Sequence, residues 1–475
     1  MSPASQTLIS RFALVTSVFA LIMVGVVAAT RPDGGGSSAA VAAGPVPVTL
    51  SEFAINPGNV VVPKGGSLSI TNTGSQAHNA AVTGTPLLTP DIAGGASGTL
   101  DLSSLEPGEY ELFCAIAGHK ESGMTATLVI TDGSAGALAA AEGGETATHV
   151  GHDDIASLDP ADEQAKRINK EFEEAMSAGV QTYLDNAARY AAGEIDKGNE
   201  KIVPEILADG TKRFTLTAAI TDWEVEPGKI VKAWTYNGQV PGPWLRVEPG
   251  DKVEVVLTNN LPISTDIHWH GIDVPFDQDG VAPITQDYIR PFEDYTYSFT
   301  APSYPQLGMY HAHMHGQVAI VNGLFGIFQI GDVPLPAGRT INGIEIPADI
   351  QIAQEIPMVL NDAGVIGLTL NGKGFPLTEP ITAKKGDWVL IHFYNEGLQG
   401  HPMHLHRQPQ LVIAKDGWAL TEPYRMDTVW VSPGERYSVL VQAEESGTWA
   451  FHCHVVTHAE NDDGLFGMVT TMIVE

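Results

Sequence analysis

Residues 250–270, GDKVEVVLTNNLPISTDIHWH, contain a strand pattern that recurs along the chain. Val253, Val255 and Leu257 occupy alternate positions, as on a half-buried β-strand with one apolar face. A glycine turn precedes the strand, and an asparagine and a histidine-bearing loop follow it. The same order recurs in GSLSITNTGSQAHN at 66–79 and in GDWVLIHFYNEGLQGHPMH at 386–404. A strand with one apolar face must pack on a second sheet, so three copies predict three related β-sandwiches.

The composition indicates an acidic globular protein of several domains. The chain has 475 residues, enough for about three domains of ordinary size. It has 25 lysines and arginines against 56 aspartates and glutamates, which gives a net charge of −31. Such a charge repels nucleic acid and anionic lipid surfaces. We therefore expect no nucleic-acid partner, and the charge favours cationic or neutral partners.

The N-terminal segment predicts export. Residues 12–30, FALVTSVFALIMVGVVAAT, contain no charged residue, and their number is close to the roughly 20 that a membrane helix needs. This length favours a membrane anchor over residues 1–31, although VAA at 27–29 also suits a cleaved signal peptide. Both alternatives place the bulk of the chain outside the cytoplasm, and the first leaves it anchored to the cell membrane.

The rest of the chain divides into three β-rich parts joined by linkers. Gly- and Ser-rich stretches mark the linkers, and the mixed-charge segment after the second linker has helical spacing, with Asp159 as N-cap and Pro160 in the first turn. The predicted fold class is therefore all-β with one helical linker segment. The predicted parts are a linker at 32–45, a β domain at 46–131, a linker and helix at 132–204, and β domains at 205–334 and 335–475.

The histidines are clustered rather than scattered. Of 16 histidines, twelve fall in six short groups. Four pairs have members two residues apart, a spacing that puts both imidazoles on one face of a strand. Burying so many imidazoles without partners would be costly, so the groups predict metal sites. The groups are His78; His119; His268 and His270; His311 and His313; His401, His404 and His406; and His452, His454 and His458.

The two cysteines of the chain lie among these histidines. FCAIAGHKESGM at 113–124 places Cys114, His119 and Met124 on one loop, and His78 precedes them on another. A thiolate with two imidazoles and a weak fourth ligand is the ligand set of a blue-copper electron-transfer site. A disulfide between Cys114 and Cys453 is the alternative, but it would leave His119 and Met124 without a role.

Two parts of the chain resemble known families. Residues 46–131 resemble a cupredoxin of the plastocyanin type, and residues 205–475 resemble a two-domain, laccase-like multicopper oxidase. The second resemblance rests on four motifs in the expected order and on the lead-in NGQVPGPWLRVEPGD at 237–251. The motifs are HWHG at 268–271, YHAH at 310–313, HPMHLH at 401–406 and HCHVVTH at 452–458. The resemblance implies cupredoxin-like Greek-key sandwiches and copper as the cofactor.

The resemblance also assigns roles to individual residues. It implies a type 1 copper at His401, Cys453 and His458, a type 2 copper at His268 and His404, and a type 3 pair at His270, His311, His313, His406, His452 and His454. On a strand, Cys453 points to one face and its two neighbours to the other, so the backbone links the electron-accepting copper to the type 3 pair. The motif YHAH has Ala312 where some relatives carry a cysteine, so this domain should lack a type 1 site.

The implied activity is that of a laccase-like oxidoreductase. It would couple one-electron oxidation of a phenol, a metal ion or a reduced electron carrier to the four-electron reduction of O2 to water. A two-domain oxidase lacks a middle spacer domain, so the resemblance implies a closed homotrimeric ring with shared clusters. Two alternatives stay open: a copper nitrite reductase, whose type 1 cysteine lies in its first domain, and a non-enzymatic copper or electron carrier.

Two carboxylates are candidates for proton delivery to the oxygen site. Asp273 follows a predicted type 3 ligand by three residues in HWHGID, and it is the first candidate. Glu460 in HAEND is the second. For each of them, a solvated surface charge is the alternative interpretation.

The fourth ligand of the copper at Cys453 is the least determined position. Aligning the glycine of HAENDDGLFGM with relatives puts Leu465 at the axial position, with Met468 as the alternative. On one continuous strand, residues 465 and 468 point to opposite faces, so only one of them can face the copper. Leu465 is the predicted residue. Without a thioether donor, this site should have a higher reduction potential than the Met124 site.

Overall fold

The structure is a computed structural model that describes residues 45–51, 54–74, 77–116, 119–120, 124–131, 163–461 and 464–475. Within these residues the chain forms three β-sandwiches, so the all-β prediction is confirmed. The predicted anchor or signal at 1–31 and the predicted helix start at Asp159 and Pro160 lie outside the described residues, and export stays a prediction. In the described part, no helix has the length and apolar character to cross a membrane.

The first sandwich lies in the predicted domain at 46–131. Its strands are β1 Val46–Ser51, β2 Ala54–Asn56, β3 Asn59–Pro63, β4 Ser67–Asn72, β5 Ala81–Val82, β6 Ser97–Asp101, β7 Gly108–Phe113 and β8 Thr125–Thr131. They form two sheets, ordered β2-β1-β4-β6 and β3-β8-β7-β5. Val60, Leu68 and Leu128 are fully buried in the common core.

A long helix, α1 Glu163–Ala191, precedes the second sandwich. The strands of this sandwich are β9 Glu205–Ile206, β10 Lys212–Glu226, β11 Lys229–Tyr236, β12 Leu245–Val247, β13 Lys252–Asn259, β14 His268–His270, β15 Asp294–Thr300, β16 Gln306–His311 and β17 Phe325–Ile330, with a short helix, α2, at Gly316–Ala319. One sheet has the order β11-β10-β13-β15 and the other β12-β17-β16-β14. Val253, Val255 and Leu257 of β13 are buried between them, as predicted.

The third sandwich completes the chain. Its main strands are β20 Ile352–Ala363, β21 Gly367–Leu370, β22 Ile381–Ala383, β23 Trp388–Asn395, β24 His401–Leu405, β25 Gln410–Lys415, β26 Trp418–Met426, β27 Thr428–Val431, β28 Arg436–Gln442, β29 Gly447–Cys453 and β32 Val469–Val474. Two small hairpins accompany them: β18 Thr340–Ile341 with β19 Ile344–Glu345, and β30 Glu460–Asn461 with β31 Gly464–Leu465. The sheet orders are β21-β20-β23-β28-β25-β26 and β22-β32-β29-β24-β27.

The sequence repeat has a structural counterpart in an asparagine that ends the same strand of each sandwich. Asn72, Asn259 and Asn395 are buried at the ends of β4, β13 and β23. In each case the side-chain carbonyl accepts a hydrogen bond from the amide two residues later, at 2.8–2.9 Å. Each side-chain amide donates to backbone carbonyls further along the chain. These bonds turn the chain into the loop that leads to His78, His268 and His401.

Candidate metal centres

The first sandwich brings three of its four predicted ligands together. The ligand atoms of His78, Cys114 and His119 lie within 4.8 Å of one another, and all three residues are buried. The two Nδ1 atoms lie 3.1 Å apart, and the Cys114 Sγ is 3.4 Å from Nδ1 of His119. Asn79 holds the loop in place. Its backbone N–H lies 3.5 Å from this sulfur, and its side-chain carbonyl accepts a hydrogen bond from the backbone N–H of Ala115 at 2.7 Å. Met124 is fully buried in the same core.

The third sandwich repeats this arrangement at the other cysteine. The ligand atoms of His401, Cys453 and His458 also lie within 4.8 Å of one another. The Cys453 Sγ is 3.6 Å from Nδ1 of His401 and 3.7 Å from Nδ1 of His458. Burial lowers the pKa of His401 to about 3 and that of His458 to about 4, and it raises the pKa of Cys453 to about 11. The imidazoles are therefore neutral, as metal binding requires, and the buried sulfur needs a cation to become a thiolate.

The backbone around Cys453 places Met468, not Leu465, where Met124 lies in the first sandwich. The amide of Cys114 donates to the carbonyl of Met124 at 3.1 Å, and the amide of Cys453 donates to that of Met468 at 3.0 Å. The methionine amides in turn donate to the carbonyls of the two loop histidines, at 3.0 Å from Met124 and at 2.8 Å from Met468. The two loops therefore close in the same way.

Leu465 has other contacts. It lies in the hairpin β30–β31 and packs with Tyr183, Phe375 and Ala459, whereas Met468 is fully buried in the same apolar cluster as Cys453. Leu465 and Met468 belong to different elements, so the alternation argument for one continuous strand does not apply. The backbone pairing favours Met468 over Leu465 as the axial residue, and the choice between them stays a prediction. With Met468 in that place, a higher potential from a missing thioether is no longer expected.

Four histidines converge in the second sandwich. His268 and His270 point to the same side of β14, and Trp269 between them is buried in the core. Register pairs His268 with His311 on β16. The ring of His268 lies 5.6–5.9 Å from the rings of His270, His311 and His313, and Nδ1 of His270 is 3.3 Å from Nε2 of His311. Burial lowers the pKa of His270 to about 4 and that of His311 to about 3, so both are neutral.

The third sandwich contains a matching group. His404 pairs with His452 across β24 and β29, and its ring lies 4.8–5.6 Å from those of His406, His452 and His454. Nε2 of His406 is 3.2 Å from Nε2 of His452. Cys453, between His452 and His454, is fully buried on the opposite face of β29. One strand end therefore carries a residue of the cysteine site and two members of the histidine group.

Comparisons with known proteins agree with this geometry. Two models described as multicopper oxidase match residues 217–334 and 347–474, and a cupredoxin-like domain model matches residues 17–130. The solved multicopper oxidase mgLAC is 34% identical with a TM-score of 0.50, and the match covers 56% of this chain and 86% of that one. This chain belongs to the multicopper oxidases.

Other relatives of this multicopper oxidase include bacterial and plant proteins. The blue copper oxidase from Nitrosomonas europaea is 30% identical with a TM-score of 0.50, and 56% of this chain matches 86% of that one. Laccase-22 of Oryza sativa subsp. japonica is 28% identical over 229 residues, which are 44% of this chain and 41% of the laccase. The match thus spans less than half the length of this curated relative.

The cofactor of this multicopper oxidase family is copper, and the donor sets fit it. Each cysteine site offers one soft sulfur and two imidazole nitrogens in a buried pocket, with a buried methionine beside them, which is the set that selects copper for electron transfer. Each four-histidine group offers imidazole nitrogens on one side of a sheet. Ala312, between His311 and His313, is fully buried, so the second sandwich has no sulfur where the third has Cys453.

Three buried polar residues support these ligands and are not apparent from the sequence. Asp266 accepts the backbone amides of His313 and Met314 at 2.7 and 2.8 Å and so fixes that turn. Asp362 places Oδ2 3.6 Å from Nε2 of His401, and both side chains are fully buried. Burial raises the pKa of Asp362, and backbone amides such as that of Leu398 oppose the rise. These partners come from distant sequence positions, so no local motif reveals them.

The third residue, Arg436, connects the two oxidase sandwiches. Its guanidinium donates to the carbonyls of Leu307 on β16 and Gly434, at 2.9 and 2.8 Å. A Cβ on Gly271 would lie 2.3 Å from the Arg436 Nη2, so only a glycine fits after His270 without a shift. The guanidinium therefore lies directly against the backbone that carries His270.

The two proton-relay candidates lie in different environments. Asp273 is exposed and accepts hydrogen bonds from the Tyr304 hydroxyl and, at 2.9 Å, from the Gln306 side chain. Glu460 pairs with Leu465 in the hairpin that follows His458, so it lies with the type 1 ligands rather than with the four-histidine group. A carboxylate that the sequence argument missed is Asp279, whose Oδ1 lies 3.5 Å from Nδ1 of His268.

Proposed function

We propose that this protein couples one-electron oxidation of a donor to the four-electron reduction of O2 to water. The observation that carries the proposal is the strand end at His452, Cys453 and His454. It joins a buried sulfur site to a four-histidine group through the backbone, and the second sandwich supplies a complementary group. A phenol, a metal ion or a reduced electron carrier would serve as the donor.

The residues of the chain have separate tasks in this function. Copper, when bound, supplies the one-electron steps and the oxygen chemistry. Cys453, His401 and His458 would hold the type 1 ion, with Met468 beside them. Burial of this set keeps water away from the sulfur and keeps the imidazoles in their neutral, ligating form. His268 and His404 would hold the type 2 ion, and the other six histidines of the two groups the type 3 pair.

Proton delivery is the task of carboxylates near the histidine groups. Asp273 keeps its place as first candidate because it is exposed to water and is hydrogen-bonded to Gln306, at the start of the strand that bears His311. Asp279 joins it because of its contact with His268. Glu460 stays the weaker candidate because of its position beside His458.

The N-terminal sandwich is proposed as an electron donor to the oxidase. It has its own complete set of His78, Cys114, His119 and Met124, and a chain segment links it to the oxidase part. Such a link raises the effective concentration of the donor at the acceptor.

A head-to-tail ring, most simply a homotrimer, would complete the oxygen site. In the described residues, no hydrogen bond or ring contact joins the His268 group to the His404 group of the same chain. Large apolar side chains are exposed beside both: Phe276 is 70% exposed near the His268 group, and Trp430 is 54% exposed against Gly400. A second copy that brings its His404 group to the His268 group would cover both surfaces.

The test is oxygen uptake by the full-length, copper-loaded chain, with phenols, metal ions and a reduced electron carrier as donors. We expect O2 consumption without accumulation of hydrogen peroxide, five copper ions per chain in the ring, and loss of activity in Cys453→Ser. Nitrite consumption without O2 uptake would instead favour the nitrite reductase alternative. Copper binding without either activity would indicate a carrier. A copper-loaded monomer that reduces O2 would contradict the ring.

A further inference from the structure

Helix α1 packs on the third sandwich although it lies outside all three ranges that the family models match. The ring of Tyr183 stacks on that of Phe375 with centroids 5.2 Å apart. The side chain of Asn186 donates to the carbonyl of Pro376 at 2.9 Å, and the hydroxyl of Tyr190 donates to that of Leu377 at 2.7 Å. The C-terminal half of α1 is therefore fastened along residues 375–377.

The same helix reaches the loop that carries two ligands of the type 1 site. A Cβ on Gly464 would lie 3.1 Å from the sulfur of Met176, so Met176 rests directly on the hairpin β30–β31. Tyr183 packs in one apolar cluster with Ala459 and Val469. Ala459 follows His458 and Val469 follows Met468 in the chain, so α1 contacts the immediate neighbours of both.

The hydroxyl of Tyr183 makes three hydrogen bonds to the start of β32. It lies 3.1 Å from the hydroxyl of Thr470 and 2.9 Å from that of Thr471, and it accepts the amide of Thr471 at 3.0 Å. The Thr470 hydroxyl already donates to the carbonyl of Glu379, so it accepts from Tyr183. The Thr471 hydroxyl then donates to Tyr183. One buried phenol thus satisfies three polar groups just beyond Met468.

We propose that α1 is a structural part of the type 1 copper site and that Tyr183 is its positioning residue. The helix packs on the loop between His458 and Met468 and so fixes the positions of these two ligands, as residues that contact metal ligands do in other metal sites. This inference rests on the proposed function.

The experiment compares Tyr183→Phe with Tyr190→Phe in full-length Cys114→Ser protein, in which Cys453 is the remaining blue centre. Both variants remove one buried hydroxyl from the same helix, but the bond of Tyr190 is to Leu377, outside the ligand loop. The readouts are the visible band, the copper hyperfine splitting in electron paramagnetic resonance, and the rate of copper loss to a chelator. We expect Tyr183→Phe to change the hyperfine splitting and to weaken copper retention about 10-fold. Tyr190→Phe should leave both unchanged.

A second pair of variants tests the same role of α1 independently, in case Tyr183→Phe does not fold. Met176→Ala removes the sulfur over Gly464, and Val180→Ala changes a side chain of α1 that is 41% exposed. We expect faster copper loss from Met176→Ala alone. When the Cys114→Ser parent shows its blue band, the proposed function is supported. In that case, equal effects within each pair of variants, or no effect of Tyr183→Phe, would overturn the role of α1. A parent without that band would overturn the function and this inference together.

Discussion

Glu355 provides the strongest test of how the two oxidase sandwiches are held together. Its carboxylate lies on β20 of the third sandwich and accepts hydrogen bonds from Arg246 and Gln329 of the second, both at 2.9 Å. Nε2 of His392 lies 3.1 Å from the same carboxylate. Burial alone would raise the pKa of Glu355, but the hydrogen bonds from His392 and Gln329 and the charge of Arg246 lower it to about 2.

The size of the effect follows from this pKa. The pKa of Glu355 in the folded protein is below the 4.5 of an ordinary glutamate, so its stabilisation is complete above pH 4.5 and is lost as the pH falls towards 2. At about 1.4 kcal/mol for each pKa unit, the charged carboxylate contributes about 3 kcal/mol at pH 7. Glu355→Gln should therefore lower the free energy of unfolding by about this amount at pH 7 and by a little less than half of it at pH 3.

Scanning calorimetry of the full-length protein at several pH values measures this difference. A loss of about 3 kcal/mol corresponds to a decrease in Tm of roughly 6–12 °C for a domain of this size. Glu379→Gln is the matched control, because Glu379 forms an ion pair with Lys197 but its side chain is 45% exposed. Exposed pairs contribute about 1 kcal/mol or less. A change in Tm of Glu355→Gln no larger than that of the control at pH 7, or the same decrease in Tm at pH 3, would contradict this role of Glu355.

Three further predictions concern the copper sites and their support. In Cys114→Ser protein, Met468→Leu should alter the spectrum of the Cys453 centre and Leu465→Ala should not; visible spectroscopy of both variants decides, and the reverse result would restore Leu465 as the axial residue. Cys114→Ser itself should remove one blue centre and slow turnover with bulky donors, as measured by oxygen uptake, and unchanged rates with every donor would contradict the feeding role. In Arg436→Met, the buried carbonyls of Leu307 and Gly434 lose their hydrogen-bond donor, so the variant should lose about 2–4 kcal/mol of stability. The second sandwich should also bind less copper. Unchanged Tm and copper content would show that Arg436 supports neither.

Much of the fold could be predicted because its signals are local. Alternation along β13 identifies a half-buried strand from Val253, Val255 and Leu257 alone, since successive side chains of a strand point to opposite faces. The same rule puts His268 and His270 on one side of β14. Glycine turns and the repeated asparagines end the strands through contacts within a few residues.

The fourth ligand shows where this local reasoning fails. The rule that residues 465 and 468 point to opposite faces assumes one strand, but the chain closes the hairpin β30–β31 before β32 begins. Leu465 then packs against Tyr183, nearly 300 residues away in the sequence, and Met468 bonds back to Cys453 and His458. Spacing after the last histidine therefore does not settle the choice between Leu465 and Met468, because the backbone pairing decides which side chain turns inward.

The β-strands and the histidine pairs follow from the sequence alone, because strand periodicity specifies them locally, while the family resemblance implied the ligand set at Cys453. Only the tertiary structure decided which residues support the ligands: Asp266, Asp362 and Arg436, and Tyr183 of a helix outside the family matches. These partners come from other strands or another sandwich. Their positions depend on how sheets and helix pack, and that packing depends on the whole apolar core rather than on any local pattern.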